Sequence, residues 1–157
     1  MAGDVAALQA APAGDVAALQ AALAGEHAAV YGYGVMGAKV GGTQRQHVRA
    51  CWAEHKARRD QLQAFLTGLG VTPVGAEPAY QLPVQPTSSA AANRLAVALE
   101  DNAVTAYAAL GGAADTALRA FAAQAMQAAM VWQVRWGGPG PASAFPGLDP
   151  AALRPST

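Results

Sequence analysis

A chain of 157 residues, 53% hydrophobic and 13% charged, carries ten basic against ten acidic side chains for a net charge of zero. That is one domain with ample apolar surface for a single core, and the balanced charge argues against nucleic acid or an anionic membrane as a partner. The single Cys51 excludes an intrachain disulfide and fits a reducing compartment; the first residues hold neither a basic n-region nor a spanning apolar run, so a cytoplasmic product is expected.

The chain begins with a duplication: GDVAALQAAPA over residues 3–13 and GDVAALQAALA over 14–24, differing where Pro12 stands against Leu23. Pro12 removes a backbone donor and restrains Ala11, so residues 1–13 are expected to form an appendage to a domain at 14–136. Asp15 is the expected N-cap of a first helix running to the Gly41-Gly42 stop. Leu19, Leu23, Glu26, Val30 and Tyr33 share its apolar face, at about 100° of turn per residue. Gly34 and Gly37 point to close helix approach.

Thr43 is the expected cap of the second helix, which ends at Gly68 or Gly70 and aligns Val48, Trp52, His55, Arg59, Leu62 and Leu66. Residues 71–87 hold Pro73, Pro78, Pro83 and Pro86 and form an extended crossover. Ser88 or Ser89 opens the third helix, with Leu95, Leu99, Ala103, Ala106 and Leu110 on one side, and Gly111-Gly112 closes it. Asp115 caps the fourth, whose stripe is Leu118, Phe121, Ala125, Ala129, Trp132 and Trp136. The Pro- and Gly-rich segment 137–157 reads as an irregular tail with Phe145 and Leu148 as anchors. Short links within two helix pairs and one long link between them predict an all-α, ferritin-like antiparallel four-helix bundle with its crossover between helices 2 and 3.

Glu26, His55 and Arg59 stand within apolar stripes, and buried ionisable groups are costly unless they bind something or satisfy one another. Glu100 lies about 90° from the centre of its stripe, where exposure and burial are equally open. His27 flanks its stripe at a helix interface, and His47 faces solvent. Cys51 behaves as a small core hydrophobe, and Met126, Met130, Trp132 and Trp136 read as core and seam instead of a cofactor box. Tyr80 is expected to pin the crossover between helices. Gly32-Tyr33-Gly34 lies inside a helix and is no phosphate loop.

The runs Ala24-Gly25-Glu26-His27-Ala28-Ala29-Val30-Tyr31, His55-Lys56-Ala57-Arg58-Arg59-Asp60 and Ala79-Tyr80-Gln81-Leu82-Pro83 carry a resemblance. So do Leu99-Glu100-Asp101-Asn102-Ala103, Ala106-Tyr107, Trp136 and Phe145-Pro146-Gly147-Leu148. Together they make the chain, over residues 15–148, similar to the ferritin-like domains of unknown function common in actinobacterial proteins. The resemblance implies a four-helix fold and brings no established activity.

The superfamily's di-iron pattern takes a carboxylate from each of two helices and Glu-x-x-His from each of the other two. Glu26 and Glu100 match the first pair. Glu54 would require His at position 57, where Ala57 stands, and the fourth helix offers only Gln124, Gln127 and Gln133. No metal and no cofactor are therefore expected. In their place an ion-pair cluster of Glu26, Arg59 and His55, with Glu100 and Tyr107, is expected to form the polar core, Arg59 bridging to Glu26 through its fork of donors.

The leading expectation is a non-enzymatic structural or interaction module. One alternative is an iron- or manganese-binding protein or oxidase using Glu26, His55 and Glu100 in an incomplete site; another is a small-ligand binder with a cavity lined by Tyr31, Tyr33, Tyr107 and Trp132. Low surface charge and abundant alanine leave apolar faces that a second copy could cover.

Overall fold

The computed structural model describes residues 11–141. Within them lie four α-helices, α1 (Ala13–Gly37), α2 (Gly42–Gly68), α3 (Ser89–Ala108) and α4 (Thr116–Arg135), with one 3₁₀ turn at Leu110–Gly112 and no strand. Most of the expected appendage and most of the expected tail, including Phe145 and Leu148, lie outside the described residues.

The ends of the helices follow local chemistry, with two corrections. Ser88 accepts from Ala91 N, and Asp115 accepts from Ala117 N and Leu118 N, as N-caps should. Asp15 does not cap α1, which starts one residue after Pro12, a residue pre-set for helix entry. Its buried carboxylate instead accepts from Ala114 N and Asp115 N at 3.0–3.3 Å, joining the first turn of α1 to the α3–α4 link. Thr43 lies inside α2, whose cap position is Gly41, without a side-chain hydrogen bond. Beyond α2, Gly70 adopts φ +72°, while Gly70 N and Val71 N bond the carbonyls of Thr67 and Leu66. This paired closure satisfies the last free carbonyls and needs a left-handed residue, which glycine supplies without a Cβ clash.

Two large core clusters mark the ends of the bundle, and a small third one, Ala103, Val104 and Ala129, joins α3 to α4. Leu19, Leu23, Leu62, Leu66, Tyr107, Leu110, Leu118 and Ala122 cluster at one end. Tyr33, Met36, Val48, Cys51, Leu95, Leu99, Trp132 and Trp136 cluster at the other. Early α1 thus meets late α2, late α3 and early α4, so α1 runs antiparallel to α2 and α3, and α4 antiparallel to α3. Because α2 finishes at the first end and α3 starts at the second, the connection between them must travel the length of the molecule.

It does so along α1. Gln20 donates to Thr72 O and accepts from Val74 N, both at 2.8 Å, and His27 Nε2 donates to Val74 O at 3.0 Å. Farther on, Tyr80 packs on Tyr31 with ring centroids 5.4 Å apart, and Leu82 and Val84 reach the second core cluster.

Trp52 and the points of close helix approach differ from the helical-phase expectation. Trp52 is 37% exposed. Its indole donates to Val30 O at 3.0 Å and carries Lys56 over its ring, so Cys51 takes the inward position instead. Close helix approach occurs not at Gly34 and Gly37, where an added Cβ would meet atoms no nearer than 3.8 Å, but at Gly25 and Gly32. A Cβ there would stand 2.6 Å from the Ala106 methyl and 2.7 Å from Leu99 Cδ1. Among the described residues, no helix is long and apolar enough to cross a membrane.

Candidate functional site: a buried carboxylate–imidazole network

Between the two large core clusters, three helices contribute one ionisable side chain each: Glu26 from α1, His55 from α2 and Glu100 from α3. All three are at most 1% exposed. His55 Nδ1 donates to Glu26 Oε2 at 2.6 Å, and Nε2 donates to Glu100 Oε1 at 3.2 Å. An imidazole with an acceptor at both nitrogens needs both N–H groups, which only the cationic form has.

Two tyrosines close the chain. Tyr107 donates to Glu26 Oε1 at 2.7 Å, and Tyr33 donates to Glu100 Oε1 at 2.5 Å. The pairing is reciprocal: in both α1 and α3 a tyrosine follows the glutamate by two helical turns, and each tyrosine serves the glutamate of the other helix. Antiparallel packing brings this about, since moving forward along one helix moves backward along its neighbour. Burial first, then the charge and hydrogen bond of the facing glutamate, hold both phenols well above their ordinary range. They remain donors.

Burial opposes a charge on His55, but the hydrogen bonds and charges of Glu100 and Glu26 outweigh it and push the imidazole up to about 9. The Cys51 thiol is pushed up to about 12 by burial, with the Glu100 charge adding. It is therefore a protonated core group, without the thiolate that nucleophilic chemistry requires.

The structure brings Glu26, His55, Glu100 and Tyr107 together, with Glu100 fully inside. Arg59 is not among them. Its guanidinium pairs with Asp60 at 2.7 Å, and the side chain is 28% exposed. A long side chain at the edge of a stripe reaches the surface and avoids the desolvation that a core ion pair would impose; the His55 cation takes the role expected of it. Tyr33, read as part of an apolar face and a ligand cavity, is the member sequence reasoning missed. The equal Glu-to-Tyr spacing in α1 and α3 was the available signal.

The remaining polar candidates are engaged elsewhere. Glu54 accepts from Trp132 Nε1 and Arg58, both at 3.0 Å. Gln133 is buried but faces Asp101 at 3.4 Å, while Gln124 and Gln127 are exposed. His27 is buried at the crossover, and His47 is exposed with its ring edge against Trp132 and Trp136. The side chains expected to line one ligand cavity are dispersed: Tyr33 and Tyr107 into the network, Tyr31 onto Tyr80, and Trp132 onto Glu54.

The donor set does not fit a di-iron centre. Both His55 nitrogens are spent on carboxylates, and α4 turns Ala125 and Ala129 inward where that centre requires a carboxylate and a histidine. Among the described residues, no group of three or more His, Cys, Asp or Glu is arranged to hold a metal ion. One atom is left over, Glu100 Oε2, which is buried without a hydrogen-bond partner, as is Trp136 Nε1.

The family model described as Domain of unknown function (DUF4439) matches residues 18–150. The chain is also similar to a solved structure, that of a conserved hypothetical protein, rv2844, from Mycobacterium tuberculosis. The two share 39% identity and a TM-score of 0.75, over 79% of this chain and 95% of the other. No curated protein matches the chain.

Proposed function

The chain belongs to the DUF4439 family, and from that premise we propose a non-enzymatic, ferritin-like helical bundle that acts as a structural or interaction module in the cytoplasm. The antiparallel helix pairs and the long crossover support the ferritin-like reading. The observation that carries the functional reading is the bidentate use of His55, whose two nitrogens are satisfied by Glu26 and Glu100. An incoming metal would compete for the same carboxylate lone pairs and would meet a cation already seated between them. The network ties three helices together, spends both nitrogens of its imidazole on carboxylates, and has beside it a Cys51 thiol that stays protonated.

The test is to purify the protein without chelator from metal-supplemented cells, then measure bound iron and manganese and oxygen-dependent iron oxidation. Sub-stoichiometric metal and no oxidation are expected. About two irons per chain, as a di-iron carboxylate centre holds, lost on Glu26→Ala, would overturn the reading.

The partner we favour is a second copy of the chain. On α4, Ala120, Gln124, Gln127, Val131 and Val134 are all exposed at alternating spacings of four and three, with Val131 and Val134 at 51% and 56%. That spacing draws one straight seam along a helix, and no charge lies on it. Two such seams meet without like-charge repulsion. Sedimentation equilibrium should give a dimer that Val131→Glu dissociates; a monomer at all concentrations would remove this partner.

A further inference from the structure

The crossover encloses a second feature, separate from the network. Its prolines prevent it from coiling into a helix or pairing as a strand, and it is fastened to α1 at Gln20, His27 and Tyr31. It then dips toward the core at Leu82 and Val84. Between this arch and the outer face of α3 remains a cleft of about 430 Å³. Its depth comes from small residues, Ala28 on α1 and Ala98 on α3. One wall is held in place before any ligand arrives: the Tyr80 ring packs on Tyr31, and its hydroxyl accepts from Glu77 N at 2.9 Å. Such a volume, with preformed apolar walls and a few polar groups on one side, has the character of a small-molecule site.

The polar groups select the chemistry. Tyr80, Leu82, Pro83 and Leu99 present aromatic and aliphatic surface, while Asp101, Asn102, Thr105 and Gln81 supply the polar side. Among the described residues, Asp101 is the only charged one lining the cleft, and no lysine, arginine or histidine lines it. Its exposed carboxylate accepts one long bond, 3.4 Å from Gln133 Nε2, and has no basic partner among the described residues. An anionic ligand would face an unbalanced negative charge there. A protonated amine would gain a charge-assisted hydrogen bond, with the Tyr80 ring at hand for its aromatic or aliphatic body.

We propose that the cleft between the crossover and α3 binds a small primary amine carried on an aromatic or aliphatic body, with Asp101 taking the ammonium group and Tyr80 and Leu82 covering the apolar part.

Tryptamine and indole-3-propionate share a ring system and differ in the sign of the terminal charge, so they serve as paired probes. Amide chemical shifts of the ¹⁵N-labelled protein are followed during titration with each, in wild type, Asp101→Asn and Tyr80→Leu. Asp101 is exposed, so its variant retains the fold, which the unchanged amide spectrum outside the cleft verifies. Tryptamine should shift the amides of Gln81, Leu82 and residues 98–105 saturably, and indole-3-propionate should bind at least about tenfold more weakly, in keeping with the strength of a hydrogen bond to a charged group. Asp101→Asn should abolish the preference for the amine, and Tyr80→Leu should weaken binding while preserving it. Absence of saturable shifts, equal response to both probes, or a preference that survives Asp101→Asn would overturn the proposal.

Discussion

His55 sits between two carboxylates with an acceptor at each ring nitrogen, and its protonation is part of the fold's stability. Its folded-state pKa of about 9 stands above the ordinary 6.5. The stabilisation it supplies is therefore complete below about pH 6.5 and is lost as the pH rises through about 9. Thermal midpoints should fall across that alkaline window by an amount that His55→Leu removes. The same variant should cost roughly 3–5 kcal/mol at neutral pH, because Glu26 and Glu100 are left buried without their cation. Arg59→Met, by contrast, should change stability by less than about 0.5 kcal/mol in chemical denaturation, as expected for an exposed pair. A loss of several kcal/mol on Arg59→Met would mean that the guanidinium reaches the core in solution.

At the scale of the helices, α1 and α3 approach most closely where glycine removes a side chain. A methyl group at Gly25 would collide with Ala106, which is itself a backbone-attached methyl and cannot swing aside. Gly25→Ala should therefore destabilise the protein by about 1–3 kcal/mol, the usual range for overpacking. Gly34 lies on an exposed face of the same helix, with the nearest atom 3.9 Å from a built Cβ. Gly34→Ala should stabilise by about 0.5–1 kcal/mol through helix propensity. Urea denaturation of the two variants makes the comparison, and equal effects would show that the α1–α3 spacing is not set by Gly25. Asp15 acts at the same scale: it joins α1 to the α3–α4 link by accepting backbone N–H groups. Asp15→Ala should cost about 1 kcal/mol, as loss of a capping acceptor does.

Across the whole molecule, the polar network lies between two apolar ends and bonds groups from three helices. Neither end can open without exposing part of that network or breaking the α1–α3 contact that runs through both. Unfolding should consequently be a single cooperative transition, with calorimetric and van't Hoff enthalpies in agreement. Two separated transitions would show that the ends are independent units.

The existence and order of the helices, the crossover, the Ser88 and Asp115 caps and the inward phase of Glu26 and His55 were legible in the amino-acid sequence. Each follows from periodicity, proline placement or a side chain bonding its own local backbone, and all of these act over a few residues. Partner identity was not legible. Periodicity gives the direction a side chain takes from its own axis, but not which residue of another helix stands at the same level. Glu100 belongs to the network because antiparallel α3 places it opposite Tyr33, and Arg59 lies outside because Asp60 offers a pair near solvent. Asp15 similarly bonds a link about a hundred residues away in sequence, where local rules predict a cap. The cleft beneath the crossover also arises from elements distant in sequence, since its floor and walls come from α1, α3 and an arch whose path is set only by where α2 ends and α3 begins.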